Sequence, residues 1–295
     1  MPDVVLLFTG IVVFAQMFDI GLRQHPGDLL RLYRQRGLFA RSLASVMVLV
    51  PLAVLVLIAV LPVPTEVALG LVLLAASPGA PLTTRRSEGA GADPGYVPAL
   101  QLTLAALAVV FMPAVIATFD LLFEESLPSI SPGKVAGQIA LVTFVPVTLG
   151  LLFARFAPGV LRRHAALLSP AAKLLFVTFM LAVLLALALV PDLRAQILIG
   201  WVGAAAALAL AAVALASGHA LGGPRDDRRA GLAIATVARN LGLALYVAES
   251  SPVTAVAIPT ILTYALLAIL LAMPYSRWIK RRGAASAPGT GEPAD

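Results

Sequence analysis

Residues 67–84 read "VALGLVLLAASPGAPLTT", an apolar run of about ten residues followed by Ser77-Pro78-Gly79-Ala80-Pro81. Two prolines and a glycine within four residues remove amide donors and free carbonyls, so one continuous helix is not expected here. A second stretch, residues 231–250, reads "GLAIATVARNLGLALYVAES" and is interrupted at Arg239-Asn240-Leu241-Gly242. Broken helices of this kind carry meaning only if the surrounding chain lies in a membrane, and composition settles that point first.

Only 12% of the 295 residues are charged and the mean hydropathy is +0.96. Soluble domains carry about 25% charged residues, so the chain is expected to be an all-α integral membrane protein. A span needs about 20 mostly apolar residues. Nine segments fit: 4–22, 38–61, 67–84, 96–119, 135–153, 174–190, 197–217, 231–247 and 253–275. Pro51, Pro113 and Pro146 fall inside spans, where neighbouring helices must satisfy the carbonyls they free. The first segment has no basic region ahead of it and is long, which argues against a cleaved signal.

With nine spans, 18 of the 21 Lys and Arg residues fall on one side, leaving Lys134 and Arg194 on the other. By the positive-inside rule the rich side is cytoplasmic, placing the N-terminus outside and the C-terminus inside a bacterial-type inner membrane. The net charge of +6 is then a topogenic signal, and no nucleic-acid partner is needed to explain it. Residues 1–282 read as a single membrane transporter domain and the Gly/Ala/Ser/Pro-rich residues 283–295 as a disordered cytoplasmic tail. The loop "RQHPGDLLRLYRQRG" (23–37) reads as a short interfacial helix. With no cysteine, and with His25, His164 and His219 scattered, no metal site or cofactor is expected.

Arg239 is the one basic residue this topology leaves well inside a span. A charge at the bilayer centre costs between about 3 and 15 kcal/mol, so something must offset it. Short, Gly/Pro-interrupted segments at corresponding positions of two halves point to the binding site of a secondary transporter. The broken regions are 67–92 and 231–250, the third and eighth spans.

The order and spacing of these segments resemble the bile acid:sodium symporter family over nearly the whole chain. "MFDIGLRQHPGDLLRLYRQRGLFARSLASVMVLVPLAVLVL" (17–57) resembles the family's second and third helices. "VALGLVLLAASPGAPLTT" resembles its first crossover helix, typically C-C-P-G-G-T-A-S-N. "IALVTFVPVTLGLLFARFAP" (139–158) resembles a following helix of the family, in its second half. "GLAIATVARNLGLAL" (231–245) resembles the second crossover, typically E-x-G-x-Q-N-S-G-L-A. The resemblance implies ten helices in two inverted five-helix repeats with two crossing broken helices. The first helix is missing here, which agrees with the nine spans counted independently.

Departures from the family pattern concern sodium. The resemblance places Thr83 and Thr84 at the Ser and Asn that supply sodium ligands, and Asn240 at the second-crossover Asn. The bridging acid falls at Ala235, the preceding Gln at Arg239, and the third-helix Gln at Val46. A hard cation wants oxygen ligands and negative charge, and two unit charges 4 Å apart repel by roughly 4 kcal/mol at a dielectric of ~20. The usual sodium site is therefore not expected to work as it does in the family.

Arg239 has three readings. Its guanidinium replaces the lost sodium on unwound carbonyls near residues 78–81, or it forks onto an anionic substrate, or it is structural, snorkelling or paired with an acid. Asn240, Thr83, Thr84 and Ser77 join Arg239 as substrate-site candidates; Asn240 and the threonines also suit helix caps. Thr83 and Thr84 are also ion-coupling candidates, with Asp19 and Glu88 as the acids available to a proton. Gln16 and Gln101 are polar residues within spans that either line a cavity or bridge helices.

The leading expectation is a secondary transporter of small organic anions working by alternating access. Its coupling is sodium-independent or proton-linked, with residual sodium coupling through Thr83, Thr84 and carbonyls as the third course. The alternatives are a receptor or scaffold that keeps the fold without transport, and an intramembrane enzyme. The enzyme reading is weak: Ser77 is the one tempting nucleophile, and no histidine lies at membrane depth.

Overall fold

The computed structural model describes residues 2–24, 26–81, 83–123, 132–157 and 200–285, with scattered helical positions between 174 and 189. Helices account for every regular element among these residues. They are α1 (Pro2–Leu22), α2 (Pro26–Arg34), α3 (Arg36–Val60), α4 (Thr65–Ala76), α5 (Thr83–Gly89) and α6 (Tyr96–Leu122). After them come α7 (Gly133–Phe156), α8 (Gly200–Leu221), α9 (Asp226–Val237), α10 (Leu241–Glu249), the single turn α11 (Pro252–Ala255) and α12 (Ile258–Ala285).

Six segments among the described residues are long and apolar enough to cross a membrane: α3, α6, α7, α8, the α9–α10 pair, and Val253–Gly283 carrying α12. A seventh arises if α1 and α2, bent by 82° at their junction, count as one. The expected sixth span, 174–190, lies mostly outside the described residues, as do Arg162, Arg163, Lys173, Arg194 and the tail from residue 286. The third segment is broken where the prolines and glycine predict. Its apolar helix α4 has 12 residues, about 18 Å at 1.5 Å per residue, too short for a hydrocarbon core of about 30 Å.

Such a short helix must end inside protein. Every α4 residue from Val67 to Ala76 is buried, as is every α9 residue from Ala230 to Val237. A helix covered all round belongs to the core of the bundle, and the α9–α10 window is 83% buried, against 22–50% for the other crossing segments. The two broken helices are therefore the centre of the fold, with the unbroken ones around them.

Small residues bring the helices together, as expected where lipid supplies no hydrophobic drive between them. A Cβ on Gly21 of α1 would collide with the Val147 carbonyl oxygen of α7, and one on Gly150 with the Phe18 carbonyl oxygen. On Gly218 of α8 a Cβ would stand 2.5 Å from Ala233 Cα of α9. Helix α3 carries a π-helical stretch, Ala44–Leu49, immediately before Pro51. That irregularity has a use at the site.

Candidate functional site

The first break begins at Ser77, where Gly79 takes φ +79° with Gln101 and Leu104 packed against it. Only glycine enters that left-handed region without strain. The second break spans Ala238 to Asn240, with Arg239 N–H bonded to the Val237 carbonyl and Leu241 N–H to the Arg239 carbonyl. The Asn240 side chain caps α10, its Oδ1 accepting from Leu243 N–H at 3.1 Å. A main-chain bond joins the two breaks directly: Asn240 N–H donates to the Ser77 carbonyl at 3.0 Å.

The last turn of a helix leaves carbonyls without intrahelical donors, and in a membrane each needs a partner. On α4 the Leu73 carbonyl accepts from Ser77 Oγ at 2.7 Å. Leu74 O accepts from Ser77 N–H and from Arg239 Nε, the latter at 2.9 Å. Ala75 O accepts from Arg239 Nη2 at 2.6 Å. On α9 the Val237 carbonyl accepts from Tyr264 Oη of α12 at 2.8 Å. Each half-helix is thus closed by a long polar side chain from another element.

Arg239 makes a third such bond, from Nη1 to the Val46 carbonyl at 3.2 Å. A π-helical stretch bonds five residues back, so the donor due to Val46 is residue 51, a proline without an N–H. The freed carbonyl is met by the guanidinium. Arg239 is 1% exposed, and no acidic side chain among the described residues forms an ion pair with it. The expected carbonyl partners near residues 78–81 are replaced by carbonyls just before the break, because those at the helix end are the ones left without donors.

Beside this crossing lies a small cavity, partly open to the outside. Helix α1 contributes Val12, Val13, Gln16 and Met17. The first break contributes Ala80, Pro81 and Thr83, the second Val237 to Gly242, and α12 Tyr264, Ala265 and Ala268; Arg86 of α5, solvent-exposed, also lines it. Gln16 Nε2 and Thr83 Oγ1 are buried without a hydrogen-bond partner. Among the described residues the cavity thus presents two unmet polar groups and the guanidinium-bearing Arg86 within mainly apolar walls, with no carboxylate in its lining.

Of the residues singled out in the sequence, Arg239, Asn240, Thr83 and Gln16 come together here. Ser77 sits in the break, but its Oγ turns back to Leu73 O and Met112 Sδ, and only its carbonyl reaches the crossing. Thr84 does not line the cavity. Asp19 bonds Arg23 Nε at 2.8 Å, Glu88 is exposed, and neither lines the cavity. Gln101 packs on Gly79 with both amide atoms unpartnered, outside the cavity lining. Tyr264 was not foreseen; its signal was a lone phenol within the apolar run of α12. Among the described residues no cluster of His, Cys, Asp or Glu could hold a metal ion.

A family model described as the Sodium Bile acid symporter family matches residues 10–215. The match contains the first broken helix and ends before the second. No curated protein matches the chain significantly.

Proposed function

The chain belongs to the sodium bile acid symporter family, and from that premise we propose that it is a secondary transporter of small organic anions working by alternating access, with the substrate held where the two broken helices cross. The single observation that carries the reading is the cavity itself. Both breaks and α1 wall it, and it holds buried polar groups that no described residue satisfies. Unsatisfied buried groups of this kind cost about 1–3 kcal/mol each, a cost that a ligand at the site removes.

Thr83, Gln16 and Asn240 would contact the polar end of the anion, with Arg86 drawing it in. Arg239 supplies positive field from behind, since three of its five N–H groups are already committed to carbonyls. Ser77 acts through its carbonyl on Asn240, and Thr84 falls outside the contact set. Asp19 pairs with Arg23 and Glu88 lies on the surface, and neither lines the cavity, which supports exchange or facilitated flux over proton coupling through either acid.

The fold within this reading is the family's inverted repeat with its two broken helices crossing. That gives nine spans in one domain whose last helix, α12, continues past the expected boundary at 282 to Ala285, with the N-terminus outside and the C-terminus in the cytoplasm. Counterflow in proteoliposomes tests it, using a labelled bile acid and labelled short monocarboxylates. Trans-stimulated uptake that falls in Thr83→Val and Gln16→Leu is expected. Binding without flux would favour a receptor, and turnover in detergent an enzyme.

A further inference from the structure

The carbonyls of Val46, Leu74 and Ala75 converge on one buried point from two different helices. Two belong to the last turn of α4, where the helix dipole adds partial negative charge. The third is released by Pro51. Two of these main-chain oxygens, on Ala75 and Val46, have no main-chain donor of their own, and the third, on Leu74, shares its lone pairs with Ser77 N–H; carbonyls gathered at a helix C-terminus are the kind of ligand a hard monovalent cation takes in unwound membrane helices. What fills the set is a side chain of the same protein, in-plane donors at 2.9, 3.2 and 2.6 Å.

We infer that this carbonyl cluster is a monovalent-cation site permanently occupied by the tethered guanidinium of Arg239, so that the protein carries its own cation and takes none from solution. The inference deepens the transporter reading, on which its consequence for flux rests; occupancy of the cluster does not. The surroundings agree with it. Among the described residues no carboxylate pairs with Arg239 to recruit a second cation: Ala235, one turn before Arg239, is a fully buried methyl group. A guanidinium stays charged at neutral pH, so the positive charge is present whether or not substrate is bound. A free ion arriving there would meet both like charge and oxygens already engaged. Anion movement then follows the anion gradient and the membrane potential, with no dependence on a sodium gradient.

The test separates a cation site from an ordinary structural arginine. Thermal unfolding of the purified full-length protein in detergent is measured for wild type, Arg239→Ala, Arg239→Gln and Arg239→Lys. Each is titrated with sodium chloride, guanidinium chloride, choline chloride and urea at matched concentrations. Urea has guanidinium's shape without its charge, and choline is too large for the cluster. The expected result is a saturable stabilisation of the Ala and Gln variants by guanidinium or sodium, absent with urea and choline, and no saturable response in wild type or Arg239→Lys. If the neutral variants cannot be isolated while Arg239→Lys can, the need for charge stands on that contrast. Sodium-selective stabilisation of wild type overturns the inference, as does an Arg239→Gln protein that is as stable as wild type and blind to every cation. Because these readouts need no substrate, a protein that shows cation rescue but no counterflow would sink the transporter reading alone.

Discussion

Arg239 Nη2 donates to the Ala75 carbonyl at 2.6 Å, so a side chain from the second broken helix closes the end of the first. This contact joins the two breaks energetically as well as in space. Removing the guanidinium leaves the Ala75 and Val46 carbonyls without this donor, at about 1–3 kcal/mol for each buried group left unsatisfied.

Tyr264→Phe removes the side-chain donor to the Val237 carbonyl and leaves it the Arg239 N–H alone. Losing one buried hydrogen bond of this kind costs about 0.5–1.5 kcal/mol. Thermal unfolding in detergent should show the loss with the cavity volume little changed. An unaltered unfolding temperature would mean that the α9 terminus finds its partner elsewhere.

Pro51→Ala offers Val46 a main-chain donor. The Arg239 guanidinium then has one fewer carbonyl that depends on it, so Arg239→Gln should be less damaging in the Pro51→Ala background. A double-mutant cycle should report coupling of about 1 kcal/mol. Strict additivity would show that Pro51 has no bearing on the Arg239–Val46 bond.

Gln16→Leu and Thr83→Val remove unpartnered buried polar atoms. Both proteins should be at least as stable as wild type, by up to about 1–3 kcal/mol, while anion counterflow falls. Stability and activity moving in opposite directions is the signature of groups kept for a ligand. Parallel losses would instead make them structural.

Gly218→Ala places a Cβ 2.5 Å from Ala233 Cα and 2.7 Å from Leu232 O, both backbone atoms that cannot move independently of α9. Overpacking of this kind costs about 1–3 kcal/mol or more. Gly37→Ala, where nothing lies within 4 Å of the new Cβ, should instead gain helix propensity of up to about 1 kcal/mol. Comparing the two by unfolding in one detergent isolates helix packing from helix propensity.

Much of the fold was legible in the sequence because membrane physics acts through composition. Apolar length marked most spans, and Pro78, Gly79 and Pro81 marked the first break. Arg239 marked the second because a charge at that depth needs an explanation. Its partners were harder to read: Leu74, Ala75 and Val46 contribute main-chain oxygens, and a carbonyl has no residue identity. Pro51 was the one visible sign that a carbonyl four to five residues earlier would be free. Ser77 misled for a related reason. A serine at a helix end can bond back to the preceding turn, and its hydroxyl does so here, so residence in the break did not imply facing the cavity.

Initial anion uptake into proteoliposomes, with external sodium replaced stepwise by choline at constant ionic strength and clamped membrane potential, tests the central claim most directly. The tethered cation predicts a rate that does not change across the series in wild type. Uptake that requires sodium and saturates with it would contradict the account, since the site would then be taking its cation from solution.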